Sequence, residues 1–171
     1  DYSKTVVIKI NNKTKIFEIR QNKYKIERIN NLPSNKVQPS EKELKKIIKE
    51  QKSIQLAKKM GLDSKISKGN FIMPFEGRIS GVFGSQRILN KIPKRPHFGL
   101  DIAAPIGTQI FAPNNGIVKL VGNDFFYTGN TLIIDHGLGM ISIYAHMHEI
   151  SVKTGQKISL GQVLGSVGKT G

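Results

Sequence analysis

The sequence predicts a mainly β protein, an antiparallel β-sandwich or barrel-sandwich core preceded by a small N-terminal β-plus-helix domain. Three observations predict it. From Phe71 onward, short apolar runs alternate with turn signals at Pro74, Gly77, Gly81, Gly84, Gly107, Gly116, Gly129, Gly137, Gly155, Gly161 and Gly165. Short strands at that spacing build sandwiches and barrels. Before residue 70 there is one helical pattern, following two alternating strands. Polar residues predominate in 62–70, which places the boundary there and gives domains at 1–69 and 70–171.

Each element has a local reason. Val6–Ile10 and Lys15–Ile19 alternate as strands, with Asn11-Asn12-Lys13 as the turn between them. Tyr24–Ile29 reads as a third strand, and Asn30 to Pro39 as a loop with two prolines. Ser40 is placed to cap a helix, with Glu43 three residues on to complete a capping box. Leu44, Ile47, Ile48, Ile54 and Leu56 give that helix an apolar face, and Gly61 can stop it. The helix packs on the small sheet or reaches across to the next domain.

The 171 residues hold 27 Lys+Arg against 12 Asp+Glu, a net charge of +15. The excess is uneven: residues 1–69 carry 18 basic and 7 acidic side chains, the remainder 9 and 5. A basic lobe points to an anionic partner, either nucleic acid or an anionic wall or membrane surface. Phe17 and Tyr24 are too few and too scattered to stack bases, so nucleic acid is not the expected partner. The absence of cysteine excludes disulfides and thiolate metal sites. No apolar run is long enough for a membrane-spanning helix, and Asp1-Tyr2-Ser3-Lys4 does not begin a signal peptide.

The chemistry concentrates in His97-Phe98-Gly99-Leu100-Asp101. An imidazole and a carboxylate are two of the three protein ligands a catalytic zinc takes. On a straight strand these two would stand roughly 13 Å apart, too far to share a metal. The following Ala-Pro-Ile-Gly run argues against a helix, so the chain must bend between them, with Gly99 free to supply unusual φ. Taken alone, so short a pattern is more often incidental. In Tyr144-Ala145-His146-Met147-His148, alternation would put Tyr144, His146 and His148 on one face, where a histidine could orient a water or bind an oxyanion. His136, in Asp135-His136-Gly137, reads as a structural turn histidine.

Residues 73–171 resemble the lysostaphin-type zinc metallopeptidases, which cleave peptide cross-links in bacterial peptidoglycan. The resemblance is carried in order by residues 73–84, His97–Thr108, Ala112–Val118, Ile134–Gly137, Tyr144-Ala145-His146 and the segment Val152–Gly165. It implies a β-sandwich metallopeptidase core, Zn2+ as cofactor, His97 and Asp101 as metal ligands, and His146 as a catalytic histidine that is not a ligand. It also implies peptidoglycan as the partner and the bacterial cell envelope, facing the periplasm, as the location. In the family a later His-x-His supplies the third ligand and a further histidine, after a turn that Gly168-Lys169-Thr170-Gly171 resembles. The sequence stops there, so the expectation for these 171 residues is weak zinc binding and slow cleavage. His148 is left open as a substitute ligand.

Three other readings compete. A non-enzymatic wall-binding regulator of other hydrolases is the main alternative, since some relatives have lost their ligands. A biotinyl or lipoyl carrier has a similar glycine rhythm over Val152–Gly165, but no acceptor lysine stands in the right context. The basic lobe 1–69 would either draw the protein to anionic glycan or cover the groove as a lid. Residues 1–70 also resemble β-plus-helix extensions of some Gram-negative members.

Overall fold

The computed structural model describes residues 5–19, 23–59, 61, 63 and 65–171. Strands β1 (Thr5–Ile10) and β2 (Lys13–Glu18) form an antiparallel hairpin with Ile10 opposite Lys13. Asn11 and Asn12 take left-handed φ of 44° and 60°, as a two-residue hairpin turn requires. Lys13 therefore belongs to the strand and not to the turn. Every residue of both strands is exposed, Val6, Ile8 and Phe17 included.

The third strand, β3 (Ile26–Ile29), is shorter than expected and does not join the hairpin. It pairs in parallel with β5 (Gln86–Leu89), which pairs antiparallel with β6 (Ile92–Pro93). One parallel pair thus enters a fold expected to be antiparallel throughout. Parallel neighbours need a long connection, and here it contains both helices. The first, α1 (Ser34–Val37), is a single turn inside the stretch expected to be loop.

Helix α2 (Glu41–Lys59) begins at the expected capping box. The Glu43 carboxylate accepts from the Ser40 amide at 2.8 Å and the Ser40 hydroxyl at 2.7 Å, while the Glu43 amide donates to Ser40 Oγ at 3.4 Å. Hydrogen bonds from the Ser40 hydroxyl, then Asn35, hold Glu43 below the usual carboxylate range. The apolar face is narrower than the sequence indicated: Ile47 and Ala57 are buried, whereas Leu44, Ile48 and Leu56 are exposed. Contact follows one ridge, Glu43-Ile47-Glu50-Ile54-Ala57, at alternating spacings of four and three. That ridge lies against β9 (Gly116–Phe125) and β10 (Gly129–Asp135), so the helix reaches across and does not pack on the hairpin. Glu50 accepts from the Phe126 amide at 2.9 Å, and Lys46 donates to the Asp124 carbonyl at 2.7 Å.

The core lies between two sheets. One has the order β11-β10-β9-β13, with β11 spanning Ile141–Met147 and β13 Lys157–Ile158. The other has the order β12-β14-β8, with β12 spanning Glu149–Ile150, β14 Val163–Ser166 and β8 Gln109–Phe111. Ile110, Ala112, Val118, Leu132, Ile134, Met147, Ile158 and Leu164 fill the space between them. Ile133 alternates to the other face of β10 and is buried too. A two-stranded antiparallel pair, β4 (Arg78–Gly81) with β7 (Asp101–Ala103), stands beside this sandwich. The chain is mainly β, as the turn spacing indicated. Contacts cross the expected division at residues 69/70 through β3 on β5, through α2 on β9, and through the Ile66 and Ser67 amides, which both donate to the His136 carbonyl. Among the described residues no helix is long and apolar enough to cross a membrane.

Candidate metal centre

His97 lies in the irregular stretch between β6 and β7, and Asp101 opens β7. The backbone of His97 is held from both sides: its amide donates to the Ser85 carbonyl at 2.9 Å, and its carbonyl accepts from the Gly84 amide at 2.7 Å. The chain bends at Gly99, although Gly99 is not among the glycines with positive φ. The bend turns the two side chains toward each other, with His97 Nε2 3.1 Å from Asp101 Oδ1.

The identity of the facing atoms matters more than their distance. His97 Nδ1 lies 3.3 Å from the Val82 carbonyl, which can only accept, so Nδ1 carries the hydrogen. In the neutral ring Nε2 is then a lone pair aimed at a carboxylate oxygen. Two acceptors aimed at one point need a proton or a cation between them. Zinc bonds of about 2.0–2.1 Å at the tetrahedral angle put neighbouring donor atoms about 3.3 Å apart, close to what is found here. An imidazole nitrogen and a carboxylate oxygen are also ligands zinc takes. His97 and Asp101 therefore fit two positions of a zinc site. Among the described residues no group of three His, Cys, Asp or Glu could hold a metal ion, so neither His146 nor His148 completes the pair.

The second oxygen of Asp101 is engaged as well. Arg87, on β5, donates from Nη2 to Asp101 Oδ2. Its Nε donates to Glu27 Oε2 at 3.3 Å. Neither Arg87 nor Glu27 is foreseen by sequence reasoning. Their pairing joins residues sixty positions apart, so no local pattern signals it.

His146 stands on β11 and makes no hydrogen bond or ion pair with His97 or Asp101 among the described residues. The expected alternation through Tyr144, His146 and His148 does not hold. Leu132 pairs with Tyr144 but Asn130 pairs with Met147, so β11 carries one extra residue there. This β-bulge sets Tyr144 and Met147 together against the core and leaves His146 and His148 exposed. His146 absorbs the irregularity with φ of 61°, a conformation non-glycine residues hold only when surroundings enforce it. Its amide donates to the Thr128 carbonyl at 2.7 Å, and its Nδ1 donates to the Thr170 carbonyl at 2.6 Å. Thr170 is pinned in turn, its hydroxyl donating to the Met147 carbonyl at 2.8 Å and accepting from the Asn130 amide at 2.9 Å. The Nε2 of His146 is thereby left as the acceptor.

His136 is fully buried and internally complete. Its Nδ1 donates to the Asn115 carbonyl at 2.7 Å, and its Nε2 accepts from the Ser142 hydroxyl at 2.8 Å. Phe71 packs edge-on against the ring at 5.0 Å. Beside it, the Tyr144 hydroxyl is buried without a hydrogen bond of good geometry. Burial pushes the Tyr144 phenol up to about 12, and nearby Ser142, already committed to His136, only partly opposes this.

Residues 95–171 match Peptidase family M23. The peptidoglycan DD-endopeptidase ShyA of Vibrio cholerae is 43% identical over 96 residues, covering 55% of this chain and 22% of that protein. The murein hydrolase activator NlpD of Escherichia coli is 35% identical over 98 residues, covering 57% of this chain and 24% of that protein. The chain thus spans under a quarter of the length of either relative. A crystal structure of an M23-type protein from Pseudomonas aeruginosa aligns with 98% of this chain and 61% of its own length, at a TM-score of 0.70 and 32% identity. That likeness takes in the N-terminal elements as well as the sandwich.

Proposed function

From the match of residues 95–171 to Peptidase family M23 and the likeness to a peptidoglycan DD-endopeptidase, we propose that the protein is a zinc-dependent endopeptidase of the lysostaphin type that hydrolyses peptide cross-links of bacterial peptidoglycan. The observation that carries this reading is the pair of acceptors, His97 Nε2 and Asp101 Oδ1, facing each other across 3.1 Å. These two residues would hold the zinc. When bound, the metal supplies Lewis-acid polarisation of a scissile amide carbonyl. His97 is kept in one tautomer by the Val82 carbonyl, and Asp101 in one orientation by Arg87. His146 handles the proton: with Nδ1 committed to Thr170, its Nε2 accepts from an attacking water and, once protonated, steadies a developing oxyanion. Phe83 and Phe98, exposed with ring centroids 6.4 Å apart, flank His97 with apolar surface for a peptide. The lysine-rich segment 1–69 would favour an anionic envelope surface, consistent with a periplasmic location.

The test is release of peptides from isolated peptidoglycan sacculi with and without added zinc. His97→Ala and Asp101→Ala are each expected to abolish zinc-dependent release, and release that survives both would overturn the reading. A second reading, a non-enzymatic regulator of wall hydrolases, is favoured by one observation: the likeness to the murein hydrolase activator NlpD. Its signature is sacculus binding without release, unchanged by either substitution.

A further inference from the structure

We infer that Glu27, on the N-terminal strand β3, is a positioning residue for the candidate metal ligand Asp101 and acts on it through Arg87. The inference rests on the metal reading of His97 and Asp101. The parallel register of β3 on β5 puts Glu27 directly opposite Arg87. Their side chains meet at 3.3 Å, each only about a quarter exposed at 25% and 28%. Two neighbouring links hold β3 in place: the Gln86 amide donates to the Lys25 carbonyl at 2.8 Å, and the Tyr24 ring occupies the space where Gly84 lacks a side chain. Arg87 uses a separate nitrogen for Asp101 Oδ2. Gly81 makes room for that approach, since a Cβ there would stand 2.5 Å from Asp101 Oδ2 and 3.2 Å from Arg87 Nη2.

The chain Glu27–Arg87–Asp101 does two things at once. It anchors one oxygen of Asp101 so that the other points at His97 Nε2, the arrangement of a single-oxygen ligand. It also settles an electrostatic conflict. A guanidinium bound to a metal ligand repels a dication and draws electron density from the carboxylate. The Glu27 carboxylate neutralises that guanidinium, so Arg87 can orient Asp101 without making the site cationic. Groups that orient metal ligands typically change metal affinity by about 10–100-fold when removed. The N-terminal segment therefore contributes a side chain to the affinity of a site whose ligands lie 70 and 74 positions further along the chain.

The experiment is a double-mutant cycle on the full chain with Glu27→Gln and Arg87→Gln, read by calorimetric titration with zinc alone, with urea unfolding run alongside. Glu27→Gln is expected to weaken zinc binding about tenfold or more. In the Arg87→Gln background the same change is expected to alter affinity by less than about twofold, because its intermediary is gone. Unchanged affinity in the Glu27→Gln single variant overturns the inference. So does an equal loss in both backgrounds, which would make Glu27 merely structural. If the wild-type chain takes up no zinc, the hydrolase reading falls, and the link is judged by a Glu27→Gln, Asp101→Asn cycle on urea unfolding of the metal-free protein. Non-additivity upholds the link there, and additivity overturns it.

Discussion

His136 and His97 begin alike and end differently. Each ring donates from Nδ1 to a backbone carbonyl, Asn115 in one case and Val82 in the other. The Nε2 of His136 then meets a hydroxyl that can donate, so every polar atom of that ring is satisfied in the protein's interior. The Nε2 of His97 meets a carboxylate, a second acceptor, that is itself part-exposed. A histidine is marked for chemistry by the hydrogen-bonding capacity the fold leaves open, and neither its type nor its burial reveals this alone.

The contrast can be broken most sharply at His136. His136→Ala would leave the Asn115 carbonyl and the Ser142 hydroxyl unpaired beside a new cavity, at a cost of about 3 kcal/mol or more in urea unfolding. Zinc affinity should change little. His97→Ala is expected to do the reverse, costing under about 1 kcal/mol while removing zinc binding. Equal effects of the two substitutions on both readouts would erase the distinction.

Tyr144 sharpens the account of the interior around His136. The folded chain holds its phenol proton to about 12, whereas an unfolded chain releases it near 10. Between those values the unfolded state binds fewer protons than the native one, so stability is intact below about pH 10 and falls as pH rises toward 12, by roughly 2 kcal/mol. Tyr144→Phe should remove that slope. It should also leave the protein equally or more stable at pH 7, because a buried hydroxyl without a good partner is deleted. Alkaline unfolding followed by circular dichroism checks both.

A smaller effect is expected at Gly81. An added methyl in Gly81→Ala would press on the movable ends of Asp101 and Arg87 and only distantly on the core. The expected outcome is a loss of about 1 kcal/mol or less in stability with a several-fold loss in zinc affinity. The smallest effect concerns Glu43. Its lowered pKa means that the capping box stabilises α2 at pH values above the unfolded carboxylate pKa and loses that contribution as pH falls through the folded one. Glu43→Gln should flatten this part of the acid limb of a helix-content titration.

Much of this was legible in the chain because it is local. The hairpin turn follows from asparagine's tolerance of positive φ at two adjacent positions. The start of α2 follows from a serine and a glutamate three residues apart. The need for a bend between His97 and Asp101 follows from strand rise alone. The buried face of α2 is narrower than its periodicity indicates, because periodicity shows which residues could be buried and not how broad a surface awaits them. The alternation through His146 breaks because a bulge is decided by both strands of a ladder, and only one of them lies in that stretch of sequence.

Residue type, spacing and turn chemistry settle the β class, the capped helix and the presence of an imidazole and a carboxylate able to meet, since each depends on contacts within a few residues. The third dimension decides the rest: Glu27 opposite Arg87, Arg87 on Asp101, and the Thr170 carbonyl on His146. Those partners are separated by 60, 14 and 24 positions. Interactions at such range exist only once strand register and loop closure have been chosen for the whole molecule, and no local preference encodes that choice.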